Sequence, residues 1–211
     1  MDRDNKRSQN KLANRAAILE AARACFLELG YDAVTVRDIV RASALAPGTF
    51  YNYFPDKETL FREILKQRID ALTTRMHALR AEAPSLEAFL HGSFRALFTQ
   101  ISDDPSFFRL ILRNEHAVRS LFSDTLIGLP MRSLLEDLRG AMARGLLPDT
   151  LDIELLAAAF YGIAFEMGRV LVDRERPDGE AAARLATRIL TDGLSAVGMG
   201  GLMGFLRRTL S

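Results

Sequence analysis

The chain has 211 residues, 48% of them hydrophobic and 26% charged, with a formal net charge of +1. That length buries a sizeable core as one domain or two small ones, and a near-neutral total supplies no global field for nucleic acid or anionic membrane, so any basic surface has to be local. The single cysteine, Cys25, excludes an internal disulfide framework and suits a reducing cytoplasm.

The amino terminus, MDRDNKRSQNKL, is polar and lacks the apolar run of a signal peptide. The longest apolar stretch, LLAAAFYGIAF from Leu155 to Phe165, is bounded by Glu154 and Glu166 and reads as too short to span a bilayer. A cytoplasmic protein with no membrane partner is expected.

Nearly every segment carries helical periodicity. Leu12, Ala16, Leu19, Ala22, Phe26 and Leu29 recur at three and four residues, and Gly30 follows as a C-terminal stop. Thr35 with Asp38 forms a capping-box pattern, flanked by Val34 and Ile39 as a hydrophobic staple. The helix they open is short, because its stripe of Val36, Ile39 and Val40 fades at Ser43. Pro47 then suits a first helical turn, and Pro55 ends that third helix near Tyr53.

Asp56 reads as the cap of a long fourth helix, with Leu60, Phe61, Ile64, Leu65, Ile69, Leu72, Met76 and Leu79 on its stripe until Pro84. Ser85 caps a fifth. Asp104-Pro105 opens a shorter piece, FFRLILRNE. The stretch from about Asp124 to Arg144 contains Gly128 and Pro130, which imply a kink or a late start. Helices over about 152–173 and 178–197 follow, and no strand or fixed-period repeat is found. The fold expected is all-α with about nine helices.

Three short helices with tight joints fit a helix-turn-helix whose third element reads DNA. Phe50 and Phe54, four residues apart, would face the core with Phe26, Ile39 and Leu45. Thr49, Tyr51, Asn52 and Tyr53 would then be presented outward, where hydroxyl and amide groups reach phosphates and base edges. Gly48 has no side chain and allows a close backbone approach.

Residues 12 to 61, centred on TVRDIVRASALAPGTFYNYFPDKETLF, resemble the DNA-binding domain of the tetracycline-repressor (TetR) family of bacterial regulators. Thr35, Ile39, Gly48, the Phe50-Tyr51 pair, Phe54, Lys57 and Leu60-Phe61 fall at family spacing without a gap, over about a quarter of the chain. The resemblance implies that Thr35, Tyr51 and Lys57 contact backbone phosphates. It makes Arg37, Thr49, Asn52 and Tyr53 the base-contact candidates. An ammonium at a helix N-terminus opposes the helix dipole, so Lys57 has no place there for helix stability. The basic arm, Lys6, Arg7, Lys11 and Arg15, would add salt-dependent attraction.

The chain departs from that pattern twice. Ala46 stands where a serine or threonine commonly caps the reading helix, a loss of about 1 kcal/mol. Pro47 stands where a polar or basic residue commonly reads a base, and a thymine methyl is the contact left to it.

The domains implied are an arm and three-helix DNA-binding domain over 1–59, a helical effector-binding and dimerisation domain over 60–198, and a flexible tail over 199–211. An effector pocket in the second would be lined by aromatics with a few polar groups. Its candidate lining is Phe89, Phe94, Phe107, Ile111, Phe122, Met131, Leu135, Phe160 and Phe165. Arg109, Arg113, Asn114, His116, Tyr161 and Glu166 are candidates to orient a ligand, and the apolar lining favours a hydrophobic or amphipathic one. Small residues on the last two helices permit close helix approach, and family members dimerise through the corresponding pair. Ala157, Ala158, Gly162, Leu185 and Ile189 are therefore the candidate homodimer interface, and a two-fold dimer implies an inverted-repeat operator on double-stranded DNA.

Catalytic motifs are lacking: there is no G-x-S-x-G, Walker loop or H-E-x-x-H, and His77, His91 and His116 are scattered. No enzyme activity, cofactor or metal is expected. The function implied is a ligand-released repressor. A ligand-dependent activator, or a helical ligand-binding or interaction protein without specific DNA reading, stays open.

Overall fold

The computed structural model describes residues 2–122 and 128–193. The side chain of Phe122 and the tail expected from residue 199 lie outside that description. Every regular element among the described residues is a helix, ten in all, and they gather into two compact units. The first holds the described residues up to Ala71 and those in 106–129; the second holds 72–105 and those from Pro130 onward.

The first unit contains α1 (Asp2–Glu28), α2 (Val36–Ser43), α3 (Pro47–Tyr51), the opening of α4 (Lys57–Ala81), α6 (Pro105–Arg113, from Ser106) and α7 (Glu115–Phe122). Its core is built from Ile18, Ala22 and Phe26 of α1, Ile39 of α2, Phe50 and Phe54, and Leu60, Phe61 and Leu65 of α4. Burying each large side chain contributes about 1.5–3 kcal/mol, so this cluster holds together helices as short as the five residues of α3. Gly30 ends α1 at a φ of +86°. The Thr35–Asp38 capping box starts α2, and Ala44, at φ 56°, turns the chain toward α3. Pro47 occupies the first turn of α3 with no side-chain cap from Ala46.

Two expectations change here. The basic arm continues α1, which begins ten residues ahead of Leu12. FFRLILRNE divides into α6 and α7 at Asn114, and α7 is the helix that periodicity missed. Asn114 is 3% exposed: its Oδ1 accepts from the Tyr31 N–H, while Nδ2 donates to the carbonyls of Phe26 at 3.1 Å and Leu110 at 2.7 Å. Its amide thus closes the end of α1, and Phe107 and Leu110 join the same core.

The second unit contains the remainder of α4, then α5 (Leu86–Asp103), α8 (Gly128–Ala143, from Pro130), α9 (Ile153–Val172) and α10 (residues 179–193). The described part of helix α8 begins at Gly128, with Pro130 in its first turn; the start expected near Asp124 lies outside the described residues. Phe94 of α5 stacks on Phe98 at 5.7 Å and on Phe160 of α9 at 4.4 Å. The apolar run read as ending at Phe165 belongs to a helix of 20 residues, long and apolar enough by composition to cross a membrane. Leu156, Ala157, Phe160, Ala164, Gly168 and Leu171 of that helix are nevertheless buried inside the unit.

Gly179, the first residue of α10, lies against the backbone of α5. A Cβ there would stand 2.5 Å from the Phe98 carbonyl oxygen. Gly179→Ala is therefore expected to destabilise the protein by about 1–3 kcal/mol, seen as a lowered thermal unfolding midpoint.

Candidate nucleic-acid interface and effector core

The outward tip of α2 and α3 rests on buried aromatics. Phe50 is 1% exposed and Phe54 3%, whereas Tyr51, one position after Phe50, is 62% exposed with its ring edge-on to Phe50 at 5.3 Å. Thr35, Arg37, Pro47, Gly48 and Asn52 are exposed beside it, and Thr49 is half-buried. Tyr53 is half-buried and packs against the core, not presented outward as the spacing implied.

The Thr35 hydroxyl is occupied by the capping box. It donates to Asp38 Oδ2 at 2.6 Å and accepts from the Asp38 N–H at 3.3 Å. The hydroxyl's donation, together with the Thr35 N–H donating to the same Oδ2 at 3.0 Å, holds the Asp38 carboxyl below its ordinary value. The start of α4 is fixed in the same way by Asp56, which accepts from the Thr59 N–H and is held low by it. On α1, Lys6, Arg7 and Lys11 are exposed. Arg15 is committed to α4, donating to Glu63 Oε1 at 2.7 Å and lying 5.4 Å from the Phe54 ring centroid. That bond keeps the Glu63 carboxyl low.

Lys57 has a use that the dipole argument did not foresee. Its Nζ donates to the carbonyl oxygens of Tyr31 at 2.8 Å and Val34 at 2.9 Å, and it sits 4.4 Å from the Tyr31 ring centroid. Tyr31 packs in turn on Phe26 and Phe61. Lys57 thereby fixes the loop that delivers Thr35 to α2. An ammonium has three donors, so one is left after these two bonds.

The expected effector residues divide between the units. Phe107 and Ile111 belong to the core around the helix-turn-helix, with the Arg68 guanidinium 5.6 Å from the Phe107 ring. Arg113 donates to the Glu28 carbonyl and Asn114 closes α1, while Arg109 and His116 are exposed on the same unit. The buried ring group of the second unit is Phe89, Phe94 and Phe160, with Tyr161 half-buried next in sequence. Met131, Leu135 and Phe165 are half-buried, and Glu166 is exposed and pairs with Arg169 at 3.5 Å. Sequence reasoning missed the ion pair among those rings, Arg80 with Asp137, which are 3% and 7% exposed. A signal was present: Asp137 falls on the stripe of Leu134, Leu138 and Ala141, and Arg80 lies four residues after Met76. Among the described residues no group of three or more His, Cys, Asp or Glu could hold a metal ion.

An all-helical chain with a capped, aromatic-seated helix-turn-helix and a polar outward tip defines a DNA-binding protein. Residues 18–64 match the family model of "Bacterial regulatory proteins, tetR family". That segment carries the family's DNA-binding domain, which makes the chain a helix-turn-helix transcriptional regulator. It is 28% identical over 170 residues to the transcriptional repressor ComR of Escherichia coli, covering 72% of this chain and 76% of that one. It is 32% identical over 94 residues to the transcriptional repressor KstR2 of Rhodococcus jostii, covering 43% and 46%, so the chain spans under half of that relative. The fold resembles that of the FadR regulator of Bacillus subtilis in complex with stearoyl-CoA, with a TM-score of 0.71 at 20% identity over 83% of this chain and 96% of that one.

Lys57→Met is expected to lower the stability of the first unit by about 2 kcal/mol, because two hydrogen bonds from a charged donor are lost. A role confined to phosphate contact would leave the unfolding midpoint unchanged. The depressed carboxyls of Asp38, Asp56 and Glu63 set an acid limit. Each folded value lies below the unfolded one, so its contribution is present above the unfolded range near pH 4 and is lost as pH falls through the folded value. Thermal unfolding from about pH 5 to about pH 2.5 is expected to show a falling midpoint, and Asp38→Asn to make the fall smaller.

Proposed function

We propose that two copies of the chain bind an inverted-repeat operator in the cytoplasm, repress transcription there, and let go when a small apolar or amphipathic effector enters the second unit. The observation that carries the reading is the α2–α3 tip, with Phe50 and Phe54 buried while Tyr51, Asn52, Gly48 and Arg37 face solvent. In this reading Tyr51 and the exposed backbone at Gly48 take phosphates. Arg37, Asn52, Pro47 and Thr49 meet base edges, and Lys6 and Arg7 on α1 add salt-dependent attraction. Thr35 and Lys57 act first by shaping the loop and only then by what donor capacity they have left. Arg15 and Tyr53 support α3 from within.

Dimerisation is supported by the outer face of α9 and α10. Leu155, Val170, Leu185 and Ile189 are 70%, 58%, 54% and 50% exposed, and Ala158 and Gly162 are exposed between them. Ala157 is fully buried within its own unit and leaves this interface. An amphipathic effector is supported by the phenylalanine-rich interior and by the stearoyl-CoA complex of the FadR neighbour.

Selection of duplexes from a random pool tests the reading. Wild-type protein is expected to enrich one inverted repeat. Asn52→Ala is expected to cost about 1–3 kcal/mol of binding and to relax one position per half-site, with an unchanged unfolding midpoint. Folded wild-type protein that enriches no sequence at low salt would sink the proposal.

A further inference from the structure

Arg80 of α4 is a buried cation whose donors are only partly used. Its Nε donates to Ser93 Oγ of α5 at 2.8 Å, its Nη1 to Asp137 Oδ2 of α8 at 3.2 Å, and its Nη2 to the thioether of Met76 at 3.7 Å. A guanidinium has five N–H donors in a planar fork, so two have no partner among the described residues and a third meets a weak sulfur acceptor. The carboxylate it faces is shared. Asp137 gives its other oxygen to His77 Nδ1 at 2.6 Å, a tighter contact than the one to Arg80. Charge-assisted bonds to carboxylates usually run about 2.7–2.9 Å and are often forked, so the Arg80–Asp137 link is long and single.

The surroundings suit a ligand head group. The Arg80 guanidinium lies 5.7 Å from the Phe89 ring centroid and 5.5 Å from that of Phe160. A cavity of about 160 Å³ opens beside it, lined by His77, Arg80, Glu136, Asp137, Gly140 and Arg144. Burial pushes the Tyr161 pKa up, against a smaller opposing pull from the Arg80 charge. Stability alone is a poor reason for this arrangement, because buried ion pairs replaced by apolar side chains are often as stable or more so. A planar oxyanion carried on an apolar body would complete the fork from the cavity side, where Arg144 adds a second guanidinium.

We infer that the second unit binds an apolar carboxylic acid whose carboxylate takes the fork of Arg80, leaving Asp137 on His77. Such a ligand is the effector only if the regulator reading holds, so the test uses full-length protein without DNA. Octanoate, 1-octanol and octylamine share one chain and differ in head group. Calorimetric titration is expected to show saturable octanoate binding at least tenfold tighter than either of the others, with a raised unfolding midpoint. Arg80→Met alone strands the buried Asp137 charge, so the decisive variant is Arg80→Met with Asp137→Leu, its fold checked by circular dichroism. It is expected to lose octanoate binding at least tenfold. Arg80→Lys, which keeps the charge and loses the fork, is expected to weaken it similarly, and Asp137→Asn to retain it. Octanoate binding no tighter than octanol in wild type, or unchanged in Arg80→Lys or in the folded double variant, overturns the assignment. Octanoate binding by a protein that enriches no DNA sequence leaves the site standing and removes the regulator reading.

Discussion

The reading face depends on one ammonium group. Lys57 Nζ ties the carbonyls of Tyr31 and Val34 to the first turn of α4, in the loop that ends at the Thr35 cap. From the other side, the Asn114 amide holds the Tyr31 N–H, and the Tyr31 ring is wedged against Phe26 and Phe61. The loop of residues 29–35 between α1 and α2 has little core of its own, and water competes for every carbonyl it exposes. With the N–H, the carbonyl and the ring of Tyr31 all fixed, the loop delivers Thr35 in the extended conformation that a capping box needs. Helix α2 then starts in register, and α3 follows after a short left-handed turn at Ala44.

The reading helices were largely legible in the sequence because their signals are local. The capping pair is three residues apart, Phe50 and Phe54 are four apart, and Pro47 and Pro55 bracket α3. What spacing leaves out is where a long cationic side chain goes once the chain is folded. Lys57 finds carbonyls 23 and 26 residues earlier, and Arg15 finds Glu63 on another helix 48 residues later. The resemblance makes Lys57 a phosphate contact and the basic arm includes Arg15, and neither reading shows the tertiary partner that each side chain also has. Tyr53 shows the same limit in an aromatic residue, since a half-buried ring and a presented one carry the same residue code.

The second unit was harder to read because its informative residues break the pattern. On α4 the stripe through Leu65 and Met76 was extended to Leu79, yet Leu79 is 41% exposed and Arg80 is 3% exposed. Hydrophobicity favours the leucine for the inside, and helical phase favours the position four residues after Met76. Phase wins here because Arg80 has Asp137 and Ser93 to receive it, and because its guanidinium spreads its charge against two phenyl rings. Phe107 and Ile111 were assigned to the same interior by composition. They belong to the other unit because Asn114 fastens α6 to α1, a contact 88 residues apart in sequence.

One uninterrupted helix carries both Lys57 and Arg80. Lys57 spends two of its donors on the loop before the reading helices, whereas Arg80 holds its aspartate by a single long bond. The two ends of α4 therefore differ in kind: a closed set of bonds that defines a shape, and an open set that a ligand can complete. An effector acts on DNA binding only if it binds two states of the protein unequally. A carboxylate on the Arg80 fork supplies such inequality where one state leaves the two open donors accessible and the other closes them.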